Sequence, residues 1–268
     1  MDRSDLANRM KDYEKRNRYY LQKRMPVILR LDSRAGHTFT RGFGRPFDEI
    51  FIQSMQETTK YLCENIQGCV LGYTQSDEIT LALVDYKTLN SDAWFDYRTD
   101  KMTSIAAGMA TLQFNRVFKE KALEFINNHP NNKLCEVYLK AINLGLVFDC
   151  RPFNIPKEDV TNNFYWRQLD CSRNSVQMVG QANFSHNELQ NKTCNMIQDM
   201  LMTQKGINWN DLPTYQKRGT CVVKEEYTDY SVLPDMGITK SRWIIDKDIP
   251  IFKGEGREYI EKLINVGV

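Results

Sequence analysis

Apolar residues fall in blocks whose spacing changes along the chain, and each change predicts an element. The first twenty or so residues hold no helix breaker and read as a charged helix, which Met25-Pro26 ends because the residue before proline is pushed out of the α region. Val27-Ile28-Leu29-Arg30-Leu31 is an apolar run of strand length leading into the polar Asp32-Ser33-Arg34-Ala35-Gly36-His37. Gly42, Gly44 and Pro46 mark a loop, and Asp48 is placed to cap a helix whose Phe51, Met55, Leu62 and Ile66 recur every three to four residues. Two β-prone runs, Cys69 to Thr74 and Ile79 to Val84, flank Gln75-Ser76-Asp77-Glu78 and predict a hairpin with two acids at its tip. Met102, Ile105, Met109 and Leu112 predict a second helix from about Tyr97 to Phe118, its Ala106, Ala107, Gly108 and Ala110 small enough to pack closely on a sheet.

After a loop at Asn127 to Lys133, a further strand is expected at Val147-Phe148. From Asn154 the chain turns polar and Asn-rich, with helical patterning near 186–204 and a strand at Thr220 to Val223. A hairpin from Trp243-Ile244-Ile245-Asp246 to Pro250-Ile251-Phe252 and a short helix are expected to end it. This order predicts an α+β fold, a mainly antiparallel sheet with helices on one face. The expected division is residues 1–150 as a catalytic domain and 151–268 as its C-terminal part and extension; whether the latter is a second lobe or one domain with the first is open.

Composition narrows the class. With 268 residues, 41% hydrophobic and 26% charged, the chain is long and apolar enough for a real core, and disorder is excluded for the whole. No run approaches the ~18 apolar residues of a membrane helix, and the first twenty residues contain no signal-like apolar stretch, so no membrane association and a cytoplasmic location are expected. Seven cysteines without a CxxC pair argue for reduced thiols over zinc or disulfides. Net charge is only +2, but residues 1–30 carry nine Lys/Arg against four Asp/Glu, so any attraction to nucleic acid must be local.

Asp32 at the end of one strand and Asp77-Glu78 at a hairpin tip would place three carboxylates together if those strands are neighbours. Such acids are often plain surface residues, but acids that meet repel unless a cation joins them. Oxygen ligands of this kind suit Mg²⁺, which completes its shell with water and substrate phosphates, and two such ions clamp both oxygens of an in-line phosphoryl transfer. Main-chain amides around Gly36, with Arg34, would cradle a triphosphate. His129 and His186 sit in polar contexts and read as surface residues; Met196, Met200 and Met202 read as core or interface filler. Cys171 lacks an evident base partner.

Arg30-Leu31-Asp32-Ser33-Arg34-Ala35-Gly36-His37 resembles the RLDGR-x-F-H motif of the tRNA-His guanylyltransferases and their relatives, and Tyr73-Thr74-Gln75-Ser76-Asp77-Glu78 resembles their Y-x-QSDE motif. Further matches follow in order: Arg98 and Lys101, Phe148-Asp149-Cys150-Arg151, Trp166-Arg167-Gln168-Leu169-Asp170-Cys171, Ile207-Asn208-Trp209-Asn210 and Tyr215-Gln216-Lys217-Arg218-Gly219-Thr220. They span roughly residues 25–223. The resemblance implies a polymerase-palm, ferredoxin-like fold and addition of nucleotides to the 5′ end of tRNA, in the 3′-to-5′ direction, after activation by ATP and with GTP favoured. It implies that Asp32, Asp77 and the Ser33 carbonyl hold two Mg²⁺ ions, that Glu78 supports them, and that Ser33 to His37 with Ser76 hold the nucleotide. Arg98 and Lys101 would neutralise its phosphates. Trp166, Arg167, Asn174, Lys217 and Arg218 are the residues expected to meet RNA, and a homo-tetramer is expected.

The chain departs from the pattern in three places. Ser172 to Met178 replaces the family's HINNLYN, Ile197 stands where a lysine is usual although Lys192 is near, and Ser33 replaces a glycine. These changes place it with the relatives that repair 5′-truncated tRNA by templated addition. Two other readings are a diguanylate-type nucleotide cyclase, which would need a Gly-Gly-(Asp/Glu)-Glu-Phe turn where Gln75 to Ile79 stands, and a non-catalytic tRNA-binding protein, which would not keep all three acids.

Overall fold

The computed structural model describes residues 4–229 and 238–266. Its helices are α1 (Asp5–Lys15), α2 (Gly36–Phe39), α3 (Glu49–Asn65), α4 (Thr99–Asn128), α5 (Leu134–Leu144), α6 (Lys157–Asn183), α7 (His186–Leu189), α8 (Cys194–Lys205), α9 (Thr214–Arg218) and α10 (Glu258–Ile264). The strands are β1 (Val27–Arg34), β2 (Cys69–Gln75), β3 (Glu78–Leu83), β4 (Val147–Asn154), β5 (Thr220–Asp229) and β6 (Ile238–Asp246). They form one antiparallel sheet in the order β4-β1-β3-β2-β5-β6, so the fold is α+β as expected.

Alternation along β1 sorts the two cores, because successive side chains in a strand point to opposite faces. Val27, Leu29 and Leu31 pack with Met55 and Leu62 of α3 and Phe114 and Phe118 of α4. Ile28 packs on the other face with Val160 and Phe164 of α6 and Ile260 of α10. The helices therefore cover both faces, not one. The second covering helix escaped the sequence reading because α6 interleaves its buried Val160, Phe164, Cys171 and Val179 with buried Gln168 and Ser175, which blurs the apolar period.

Asp48 caps α3 as its sequence position suggests: its carboxylate accepts from Phe51 N at 3.0 Å and from Tyr138 Oη at 2.8 Å. One expectation is left open by the sequence and one needs correction. The second half of the chain adds β5 and β6 to the edge of the same sheet through β2, so the sheet crosses the expected boundary at residue 150. Trp243 to Asp246 closes β6 against β5 and makes no hairpin with Pro250 to Phe252. Phe252 is instead a plug in the α6-side core, its N–H donating to Gln168 Oε1 at 3.0 Å.

Candidate active site

The hairpin between β2 and β3 is tighter than the four-residue tip read from sequence: only Ser76 and Asp77 lie outside the strands. Ser76 takes the left-handed φ of 49° that such a short connection demands. This turn abuts the end of β1. Ser33 N donates to Asp77 O at 3.2 Å, and Ser33 Oγ to Asp77 Oδ2 at 2.5 Å. Ala35, with φ 60°, then reverses the chain into α2, which brings Gly36 against the turn. A Cβ on Gly36 would collide with the Asp77 carboxylate and the Ser33 hydroxyl, so glycine is required here for close approach.

Asp32 sits in register opposite Glu78 of β3 and Asp149 of β4. Its carboxyl is pushed up from the usual range by burial, then by the charge of Asp77, with Asp149 adding to this; Arg30 and Arg151 pull the other way. Arg151 Nη2 stands 3.8 Å from Asp32 Oδ2. A carboxyl raised by burial and by a neighbouring acid's charge is what a divalent cation relieves.

Glu78 does not join them as a third open acid. Because the turn ends at Asp77, Glu78 belongs to β3, and its buried carboxylate is taken on both oxygens. Arg167 Nε reaches Oε1 at 2.7 Å and Nη2 reaches Oε2 at 2.8 Å, while Arg30 Nη2 reaches Oε2 at 2.7 Å. Among the described residues, no cluster of three or more His, Cys, Asp or Glu side chains is arranged to hold a metal. What remains is a pair, Asp32 and Asp77, matching Mg²⁺ sites in which one or two carboxylates share the ion with water and substrate phosphate. Asp149 was part of a matching sequence motif but had no assigned role; only strand register shows that it faces Asp32.

A cavity of about 500 Å³ opens beside this turn. His37 and Ser76 line it together with Phe43, Phe51, Asn174 and Tyr215. That volume is of the order that small-molecule and cofactor sites occupy. The loop Ser33 to His37, Ser76 and Asn174 are thus gathered at one end of the sheet.

The family model "Thg1: tRNAHis guanylyltransferase" matches residues 7–156, more than half of the chain. The chain belongs to the tRNA-His guanylyltransferase family. At that level it is a nucleotidyltransferase acting on tRNA. It is similar to uncharacterized protein R259 of Acanthamoeba polyphaga mimivirus, 28% identical over 231 residues that cover 82% of this chain and 77% of that one. It is also similar to the tRNA(His) guanylyltransferase of Saccharomyces cerevisiae, 24% identical over 217 residues, 74% of this chain and 82% of that one. A solved bacterial tRNA(His) guanylyltransferase (Thg1)-like protein in complex with ATP superposes with TM-score 0.80 at 41% identity, covering 97% of this chain and 99% of that one. One in complex with GTP gives 0.77 at 36% identity, covering 98% and 100%.

Other residues matched to the family's motifs lie elsewhere. Arg98 and Lys101 are at the opposite end of the sheet from the acids. Arg98 is bridged to Tyr20 and Leu21 N donates to Tyr97 O at 3.0 Å, while the next residues lead to Val27, opposite Leu83. At ~3.3 Å per strand residue, the far end of β3 is about 20 Å from Asp77. Within one chain they therefore do not reach a phosphate held at Asp32 and Asp77. Arg167, expected on RNA, is buried in the Glu78 pair and also bonded to Asp170 at 2.8 Å. Lys217 is likewise buried, its Nζ donating to Asn210 O. Arg218 is partly covered and its carbonyl accepts from Tyr73 Oη at 2.6 Å. Trp166 is exposed, its ring flanked by the guanidiniums of Arg167 at 4.4 Å and Arg30 at 5.7 Å.

Proposed function

We propose that this protein adds nucleotides to the 5′ end of tRNA in the 3′-to-5′ direction, repairing truncated ends by templated addition, with ATP for activation and GTP favoured for incorporation. The observation that carries the reading is the close approach of the Asp77 turn to Asp32, Ser33 and Gly36, beside a cavity of nucleoside size lined by Ser76 and His37. The ATP and GTP complexes of the two bacterial relatives support the substrate class.

Asp32, Asp77 and the Ser33 carbonyl would hold two Mg²⁺ ions, which supply charge neutralisation and polarise phosphoryl oxygens. The chain's own groups position the reactants. Gly36 keeps the β1 turn against Asp77, and the Gly36 and His37 N–H groups, ahead of Thr38 and Phe39 that bond to Ala35 O, would bind phosphate oxygens. Glu78, clamped by Arg167 and Arg30, holds the hairpin tip from behind. His37, Ser76 and Asn174 border the space for the base and sugar. Such chemistry is dominated by positioning and charge neutralisation. Exposed Ile105 and Leu112 on α4 offer apolar surface for the expected tetramer.

The test is incorporation of labelled GTP into tRNAs lacking their first nucleotide, with the opposing base varied. Incorporation should follow pairing with that base, and Asp77→Ala should abolish it while the melting curve stays close to wild type. Activity indifferent to the opposing base would overturn the repair reading, and full activity of Asp77→Ala would overturn the metal assignment.

A further inference from the structure

With Arg167 and Lys217 spent inside the fold, part of the expected tRNA surface is lost, and the amino-terminal segment is one place where cations and aromatic rings are left uncovered. Tyr19 is 70% exposed, Tyr13 54% and Tyr20 53%. Arg16 lies 5.0 Å from the Tyr13 ring centroid. Lys101 lies 5.3 Å from the ring of Phe95, itself 38% exposed. Among the described residues no carboxylate lies within ion-pair distance of Arg16, Arg18 or Lys101, whereas Lys23 and Arg98 are paired with Asp96 and Asp100.

Residues 19–21 are fixed in place. Thr99 N donates to Tyr19 O at 2.9 Å and Leu21 N to Tyr97 O at 3.0 Å, which straps residues 19–21 across the start of α4. Beneath the strap, Phe95, Asp96 and Tyr97 hold φ of 51°, 58° and 55°, a run of left-handed non-glycine residues that persists only when its surroundings enforce it. The result is a platform, a strapped surface at residues 19–21 and 95–101, beside which Tyr13, Arg16 and Arg18 present a ring and unpaired guanidinium groups. Within one chain, nothing in the reaction at Asp32 and Asp77 uses it.

We propose that this platform, Tyr13, Arg16, Arg18, Tyr19 and Tyr20 with Phe95 and Lys101, binds unpaired nucleotides of the tRNA substrate away from the reacting 5′ end. The inference rests on the tRNA reading above. Exposed rings stack on bases whatever their identity and guanidiniums meet backbone phosphates, the pairing used for single-stranded RNA. The platform sits at the far end of the sheet from the acids, so it would engage a part of the tRNA other than the 5′ end held there.

Filter binding of full-length tRNA without nucleotide, repeated over a range of salt, tests it. Tyr19→Ala with Tyr20→Ala should weaken binding at least ~10-fold, while Tyr19→Phe with Tyr20→Phe should bind as wild type. Arg16→Ser with Arg18→Ser should reduce the salt slope by about 1 to 2. Binding of an acceptor-stem hairpin, and of GTP, should not change in any variant. Unchanged tRNA affinity in the alanine pair, equal loss in the phenylalanine pair, equal loss on the hairpin, or a change in oligomeric state in place of RNA affinity would each overturn the proposal. A wild-type protein that binds tRNA here but incorporates no nucleotide would instead count against the proposed reaction, so the two fail separately.

Discussion

Replacing Arg167 by methionine removes the main partner of a carboxylate that cannot reach water. Glu78 and Arg167 side chains are each only 6% exposed, and their two contacts are 2.7 and 2.8 Å long. Breaking a buried pair by deleting one member typically costs ~3–5 kcal/mol, because the survivor stays desolvated. Arg30 still reaches Glu78 Oε2 at 2.7 Å, so the expected loss is near the lower bound, about 3 kcal/mol. Scaled at ~2–4 °C per kcal/mol for a chain of this size, the melting temperature should fall by about 6–12 °C. Urea unfolding of Arg167→Met, Glu78→Gln and the double variant measures this. The double variant should lose less than the sum of the singles, since the two groups share one interaction. If Arg167→Met stayed within ~1 kcal/mol of wild type while tRNA affinity dropped, the arginine would be an RNA contact and the burial argument would fail.

Gly36→Ala should reduce nucleotide incorporation by ~100-fold or more with the fold intact, because the new methyl displaces the Asp77 carboxylate from Ser33, and misplacements of an ångström have effects of that order; near-normal turnover would show that the turn tolerates the shift. Thiol alkylation at pH 8 should modify Cys194 first and the other cysteines only after denaturation. Burial pushes Cys150 and Cys171 up to about 12 and raises Cys63 and Cys221 far above the usual range, so these stay as unreactive thiols. Rapid native labelling of Cys171, which borders the cavity, would contradict this.

Periodicity alone carried β1, α3 with its Asp48 cap and the β2–β3 hairpin, since each has an unbroken repeat of apolar positions ended by a recognisable breaker or cap; in α4 the buried face instead runs through Met102, Ala106, Ala110, Phe114 and Phe118, and Ile105 and Leu112 of the expected stripe are exposed. The motif acids Asp32 and Asp77 were legible for a related reason: a strand running into a polar loop and a hairpin tip are local features. Helix readings fell short elsewhere: α6 buries glutamine and serine among its apolar residues, α4 runs ten residues beyond the expected end, α5 was not expected, and α1 ends at Lys15.

Tertiary structure decided everything that depends on which strands are neighbours and how far apart their ends lie. Register set Asp149 across from Asp32 and handed Glu78 to two arginines, so a sequence triad became a pair with a buried support. The same geometry turned Arg167 and Lys217 inward and carried Arg98 and Lys101 to the other end of the sheet. A sequence states which charges exist, and a one-residue difference in where a turn ends decides which face each occupies. Whether a guanidinium meets solvent, a phosphate or a buried carboxylate is fixed only when the sheet closes around it.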